Sequence, residues 1–151
     1  MRIGRFYAAG DAQALALVLL EPVSFWGGIE LETGNIIDRS HPDLGKNVSG
    51  RILVMQGGRG SSSSSSVLAE MIHRQKGPAG ILLAHPDPIL TVGSIVAQTL
   101  YGLLCPIVVC TIDGIASGDQ VRISRTAARQ AQVEVLRIAY LDPTANADSA
   151  R

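Results

Sequence analysis

Six consecutive serines, Ser61–Ser66, follow Gln56-Gly57-Gly58-Arg59-Gly60, and no other stretch constrains the fold as much. A serine run taken alone reads as a flexible linker. This one stands between the strand-forming run Arg51-Ile52-Leu53-Val54-Met55 and a segment whose Val67, Leu68, Met71 and Ile72 recur at helical spacing. Strand-to-helix loops usually run roughly 2–6 residues, a length that Gly57–Gly60 already fills. The serines are therefore expected to open the helix. Serine caps a helix well but is mediocre inside one, and six exceed what capping needs. The first turn of a helix has unpaired N–H groups and about half a positive charge. With glycines that admit a ligand closely and the permanently charged fork of Arg59, the stretch predicts an anion pocket. The same field stabilises an alkoxide, so one serine there can transfer protons. Two nucleotide loops do not fit: Gly60 is followed by Ser61 without a lysine, and a dinucleotide pattern begun at Gly58 would need glycine at Ser63.

The remaining segments predict an α/β chain. Ala14–Leu20, Ala79–Ala84 and Pro106–Cys110 are apolar runs with the length of buried strands. Gly77-Pro78 is expected to end the serine-led helix. His85-Pro86-Asp87-Pro88 interrupts the chain, and Ile89–Tyr101 has helical spacing up to Gly102. Gly118–Ile123 and Gln132–Ile138 alternate, as strands with one wet face do. Strands alternate with helices in the middle third and dominate both ends. One domain over residues 1–141 is expected, with a small polar tail at 142–151 that frays.

Of 151 residues, 13 are basic and 13 acidic, with no basic run, which argues against nucleic acid as a partner. No apolar run approaches the ~20 residues of a membrane helix. The N-terminal stretch does not read as a signal peptide, so a cytoplasmic protein is expected. Charged residues make up only 17%, against about 25% in typical domains, which suggests a surface partly covered by something else. Cys105 and Cys110 are an odd number of residues apart, on opposite faces if the segment is a strand, and read as buried thiols. The histidines at 41, 73 and 85 are scattered, and with two cysteines no metal cluster is expected on this chain. His41, before Pro42, is a loop-placed candidate for the site. Trp26, beside Gly27-Gly28, is either a core anchor or a lip over the pocket.

Several pieces occur in an ordered set: Ser24-Phe25-Trp26-Gly27-Gly28, Thr33-Gly34-Asn35-Ile36-Ile37, His41-Pro42, Gly50-Arg51-Ile52-Leu53-Val54, Gly58–Ser65, Asp87-Pro88-Ile89 and Tyr101-Gly102-Leu103-Leu104-Cys105-Pro106. Together they resemble the small, swivelling subunit of aconitase X over about residues 8–115. The resemblance implies a β/β/α swivelling fold and half of a hydro-lyase. Its large subunit would carry an iron–sulfur cluster on cysteines, with an open iron that draws off the substrate hydroxyl. This chain would contribute Ser61 as the general base next to a carboxylate. Arg59, Gly60, Ser62 and Ser65 would match further positions of the substrate loop. Bacterial members include cis-3-hydroxy-L-proline dehydratases, which form Δ1-pyrroline-2-carboxylate, and the serine run is similar to theirs. Archaeal members include phosphomevalonate dehydratases. Thr91–Leu100 with Pro106–Val109 also resembles the phosphohistidine swivelling domain, but no histidine opens that helix. An anion-binding module without chemistry is the third reading.

Overall fold

The apolar runs form a barrel. The computed structural model describes residues 1–137. Its strands are β1 (Arg2–Ala8), β2 (Ala12–Val18), β3 (Ile52–Met55), β4 (Gly80–Leu83), β5 (Ile107–Val109), β6 (Gln120–Ala127) and β7 (Gln130–Leu136). A single irregular turn, α1 (Phe25–Gly28), follows β2; α2 (Ser64–His73) links β3 to β4, and α3 (Pro88–Tyr101) links β4 to β5. The sheet order is β1-β5-β4-β3-β2-β6-β7, and β7 pairs back onto β1 to close it. β2 through β5 run parallel, whereas β1, β6 and β7 pair antiparallel to their neighbours. Parallel neighbours require crossovers, and α2 and α3 supply two of them.

Strand alternation divides the core into two layers. On β3, Ile52 and Val54 point into the barrel with Leu82, Val108, Val121, Ile123 and Val133. Leu53 and Met55 point outward, where Leu68, Met71 and Ile72 of α2 and Leu90 and Ala97 of α3 cover them. Each fully buried aliphatic side chain contributes about 1.5–3 kcal/mol.

Four features differ from the sequence reading. β1 was not assigned from the sequence. Only the second half of β2 is buried, and Leu15 is exposed, because its first half pairs with β6 over a wet face. The first serines precede the helix: Gly60 has φ +96° and Ser64 N–H donates to Ser61 O at 3.0 Å, so residues 61–63 form a turn before Ser64. At the other end α2 stops at His73, and Gln75 takes φ +59° before Gly77-Pro78 is reached. The expected tail at 142–151, the end of the 1–141 domain and the last residue of the Gln132–Ile138 strand lie outside the described residues.

The two thiols separate as expected. Cys105 packs in the helix layer and Cys110 in the barrel. Burial pushes the Cys105 thiol up to about 12. It pushes Cys110 up to about 11, with the Arg2 charge opposing. His41 is a buried strut. Its Nδ1 accepts from Asp43 N–H at 3.0 Å, which assigns the ring proton to Nε2, 2.9 Å from Glu21 O. Asp43, itself buried, accepts from Leu20 N–H and pairs with Lys46 at 2.7 Å. Burial raises the Asp43 pKa, but the Lys46 and Leu20 hydrogen bonds outweigh it and hold the carboxyl below its ordinary value.

Candidate active site

The parallel strands β3 and β4 end side by side, and each hands the chain to the N-terminus of a helix. Ligands of parallel sheets bind outside such carboxyl ends. A cleft of about 410 Å³ opens there, between Gly57–Ser61 after β3 and His85–Leu90 after β4, with Val23 and Phe25 on a third side.

Two glycines fit the serine loop to its surroundings. A Cβ on Gly60 would overlap the Ser24 hydroxyl, and its φ of +96° suits no other residue well. A Cβ on Gly58 would overlap the Asp87 carboxylate. Asp87 caps α3, its Oδ1 accepting from Ile89 N–H at 2.9 Å and Leu90 N–H at 3.0 Å. The α3 terminus is thereby neutralised, whereas α2 opens without a side-chain cap bond at Ser63. The cleft is therefore most receptive to an anion on the α2 side.

Of the expected residues, Arg59, Gly60 and Ser61 line the cleft, and Ser62 and Ser65 do not. Ser61 Oγ accepts from Ser63 N–H at 3.1 Å. Ser62 is exposed at the turn, and Ser65 Oγ donates to Ser62 O at 3.0 Å, back onto the turn that precedes its helix. The site instead includes Ser64, three residues after Ser61 and buried, whose Oγ accepts from Trp26 N–H at 3.2 Å. Spacing of three on a helical path brings two side chains to one side, and this was the available signal for Ser64. His85 and Asp87 also line the cleft. Their signal was the interruption His85-Pro86-Asp87-Pro88 straight after an apolar strand. Trp26 is exposed and not a core anchor, and it does not itself line the cleft; Phe25, beside it, is the buried residue in the cleft wall. The Arg59 charge also acts on Asp38, whose carboxyl is held below its ordinary value chiefly by hydrogen bonds from Ser40.

The described residues do not fit an iron–sulfur cluster. They contain no grouping of three His, Cys, Asp or Glu suited to a metal. Both thiols are buried in separate layers, and neither lines the cleft. Among the described residues, no helix is long and apolar enough to cross a membrane.

A closed barrel carrying two crossover helices, with a serine-lined cleft at the strand ends, has the architecture of a swivelling β/β/α domain. The chain belongs to the aconitase X swivel domain family, whose model matches residues 2–134. It is 45% identical over 105 residues to the cis-3-hydroxy-L-proline dehydratase of Pseudomonas aeruginosa, a match covering 70% of this chain and 18% of that protein. It is 44% identical over 86 residues to the phosphomevalonate dehydratase small subunit of Methanopyrus kandleri, covering 57% of this chain and 64% of the other. The crystal structure of aconitase X from Thermococcus kodakaraensis in its holo-form superposes with a TM-score of 0.79 at 27% identity, over 91% of this chain and 99% of that one. The chain thus spans less than a fifth of the length of the Pseudomonas relative.

Proposed function

We propose that the chain is the small subunit of an aconitase X-type hydro-lyase that dehydrates a hydroxy-carboxylate, with cis-3-hydroxy-L-proline as substrate and Δ1-pyrroline-2-carboxylate as product. The observation that carries this reading is the meeting of Ser61, Arg59 and the start of α2 in one cleft. Arg59 and the backbone N–H groups of Gly60 and Ser61, all in the cleft wall, bind the substrate carboxylate. Ser61 Oγ, as the alkoxide, accepts the proton from the carbon next to that carboxylate and later returns it to solvent. The hydroxyl on the adjacent carbon leaves and takes a proton from solvent to become water, and the enamine so formed tautomerises to Δ1-pyrroline-2-carboxylate. The Ser63 N–H bond to Ser61 Oγ favours the alkoxide over the hydroxyl, as do the Arg59 charge and the helix field. An iron–sulfur cluster, for which the described residues offer no ligand set, belongs to the large subunit in this reading. The likeness to the Methanopyrus kandleri protein favours a second substrate, phosphomevalonate.

Reconstitution tests the reading. The purified chain alone is expected to turn over neither substrate, and the chain mixed with a cluster-loaded aconitase X large subunit to dehydrate cis-3-hydroxy-L-proline. Ser61→Ala in the pair abolishes turnover and leaves subunit association intact. Turnover by the isolated chain overturns the assignment, and dehydration of phosphomevalonate alone transfers it to the second substrate. A pair that binds carboxylates without turnover is an anion-binding module. Acid-labile phosphohistidine after treatment with a phosphoryl donor would make the chain a carrier. That outcome is not expected, because α3 opens at Asp87-Pro88 without a histidine.

A further inference from the structure

Two apolar surfaces flank the cleft. On one flank stands Trp26, 59% exposed on an α1 turn that is otherwise held in place. Ser24 Oγ donates to Trp26 O at 3.0 Å, and Trp26 N–H donates to Ser64 Oγ at 3.2 Å. Phe25 is buried beneath, and Ser24 packs on Gly60 of the serine loop. The backbone of Trp26 is thus fixed to the site while its indole faces solvent. On the other flank α3 leads away from the cleft, from Pro88 and Ile89 in its wall. Its fourteen residues include no charged side chain, and Val92, Ile95, Val96 and Leu100 are exposed along it. Helices of soluble domains normally carry charge on their wet face, and a helix apolar on both faces is covered.

We infer that the two flanks form one docking face for the large subunit, which seats on Trp26 and α3 and so covers the cleft between them. The inference rests on the dehydratase reading, because it takes its occupant from there. Three observations favour that occupant. Both flanks adjoin the cleft through the lining residues Phe25, Pro88 and Ile89, and for the reaction there this chain holds no metal ligand set among the described residues. Matched relatives carry the unit either within a much longer chain or under the name of a small subunit. A charge-free helix face complements an apolar protein surface and repels neither sign. A pinned tryptophan loses little freedom on binding, and tryptophan is among the residues most enriched where binding energy concentrates.

Trp26 is the single tryptophan of the chain, so 5-fluorotryptophan labelling gives one ¹⁹F signal. Titrating the labelled chain with the unlabelled aconitase X large subunit of the same organism is expected to shift and broaden that signal. Trp26→Ala is expected to raise the Kd of the pair roughly 30-fold, the loss typical of a central anchor. Val92→Glu, which places a charge on the second flank, is expected to raise it at least about tenfold. Thermal unfolding of both variants verifies their fold, since neither side chain is in the core. An unmoved signal at saturating large subunit, or a wild-type Kd for either variant, overturns the docking face even if the pair dehydrates its substrate. A pair that docks through both flanks but dehydrates neither substrate overturns the dehydratase reading and leaves the face standing. A Trp26 signal that shifts with the concentration of the chain alone assigns the face to a second copy and overturns the inference.

Discussion

Gly58→Ala tests how the two loops at the cleft hold each other. The backbone of Gly58 lies outside the left-handed region, so alanine is not strained there by itself. The obstacle is the Asp87 carboxylate, which its two bonds to Ile89 N–H and Leu90 N–H hold against Gly58. Making room for a methyl group displaces the carboxylate and removes the cap, a loss of about 1–2 kcal/mol. The alanine also restricts the unfolded chain, which returns roughly 0.5 kcal/mol. The net destabilisation is therefore about 1 kcal/mol, a fall in Tm of about 2–4 °C. Asp87→Ala loses the same cap and is destabilised by about 1 kcal/mol. Combined with it, Gly58→Ala meets no carboxylate and is neutral or slightly stabilising. The double-mutant cycle, read from urea midpoints at constant m, should then give a coupling of about 1 kcal/mol. Gly57→Ala is the control, since its Cβ would meet nothing nearer than His85 Cβ at 4.0 Å. Additive effects of the two substitutions, within about 0.3 kcal/mol, would refute the reasoning.

Other outcomes follow from the same structure. Ser64→Ala strips Trp26 N–H of its acceptor and should lower stability by about 1–2 kcal/mol in chemical denaturation. The Asp43 carboxyl, held below its ordinary value, contributes stability that is present above the unfolded carboxylate pKa and lost as pH falls through the folded one. Asp43→Asn should therefore flatten the acid limb of the stability curve below about pH 4, measured by urea titration at several pH values. With the two thiols pushed up to about 12 and about 11, neither Cys105 nor Cys110 should react with iodoacetamide at pH 8 in the folded protein, and both should in urea.

What was legible in the sequence was local. β3, β4 and β5 announced themselves because both of their faces are covered, one by the barrel interior and one by helices, leaving continuous apolar runs. α3 was bounded to within a residue, because Asp87-Pro88 and Gly102 are start and stop signals that act on the adjacent backbone. β1 was illegible because Arg2 and Arg5 break its apolar pattern. Its partners, Val109 opposite Arg5 and Val133 opposite Arg2, lie more than a hundred residues away. Barrel closure, which depends on those pairings, was hidden with it. At the site, composition pointed to the serine run but could not say which hydroxyls face the cleft. That depends on where the turn at Gly60 hands over to α2, a matter of one φ angle. The entry of Ser64 in place of Ser65 follows from it.

The pairing of β7 with β1 has a further consequence. A sheet that closes on itself has no edge strand whose free N–H and C=O groups need a neighbour or a guard against one. The unit completes its backbone hydrogen bonding whatever chain continues from it. A module built this way can be joined to a larger partner or severed from it without repair to its sheet. The same match accordingly takes up less than a fifth of one relative and nearly two thirds of another.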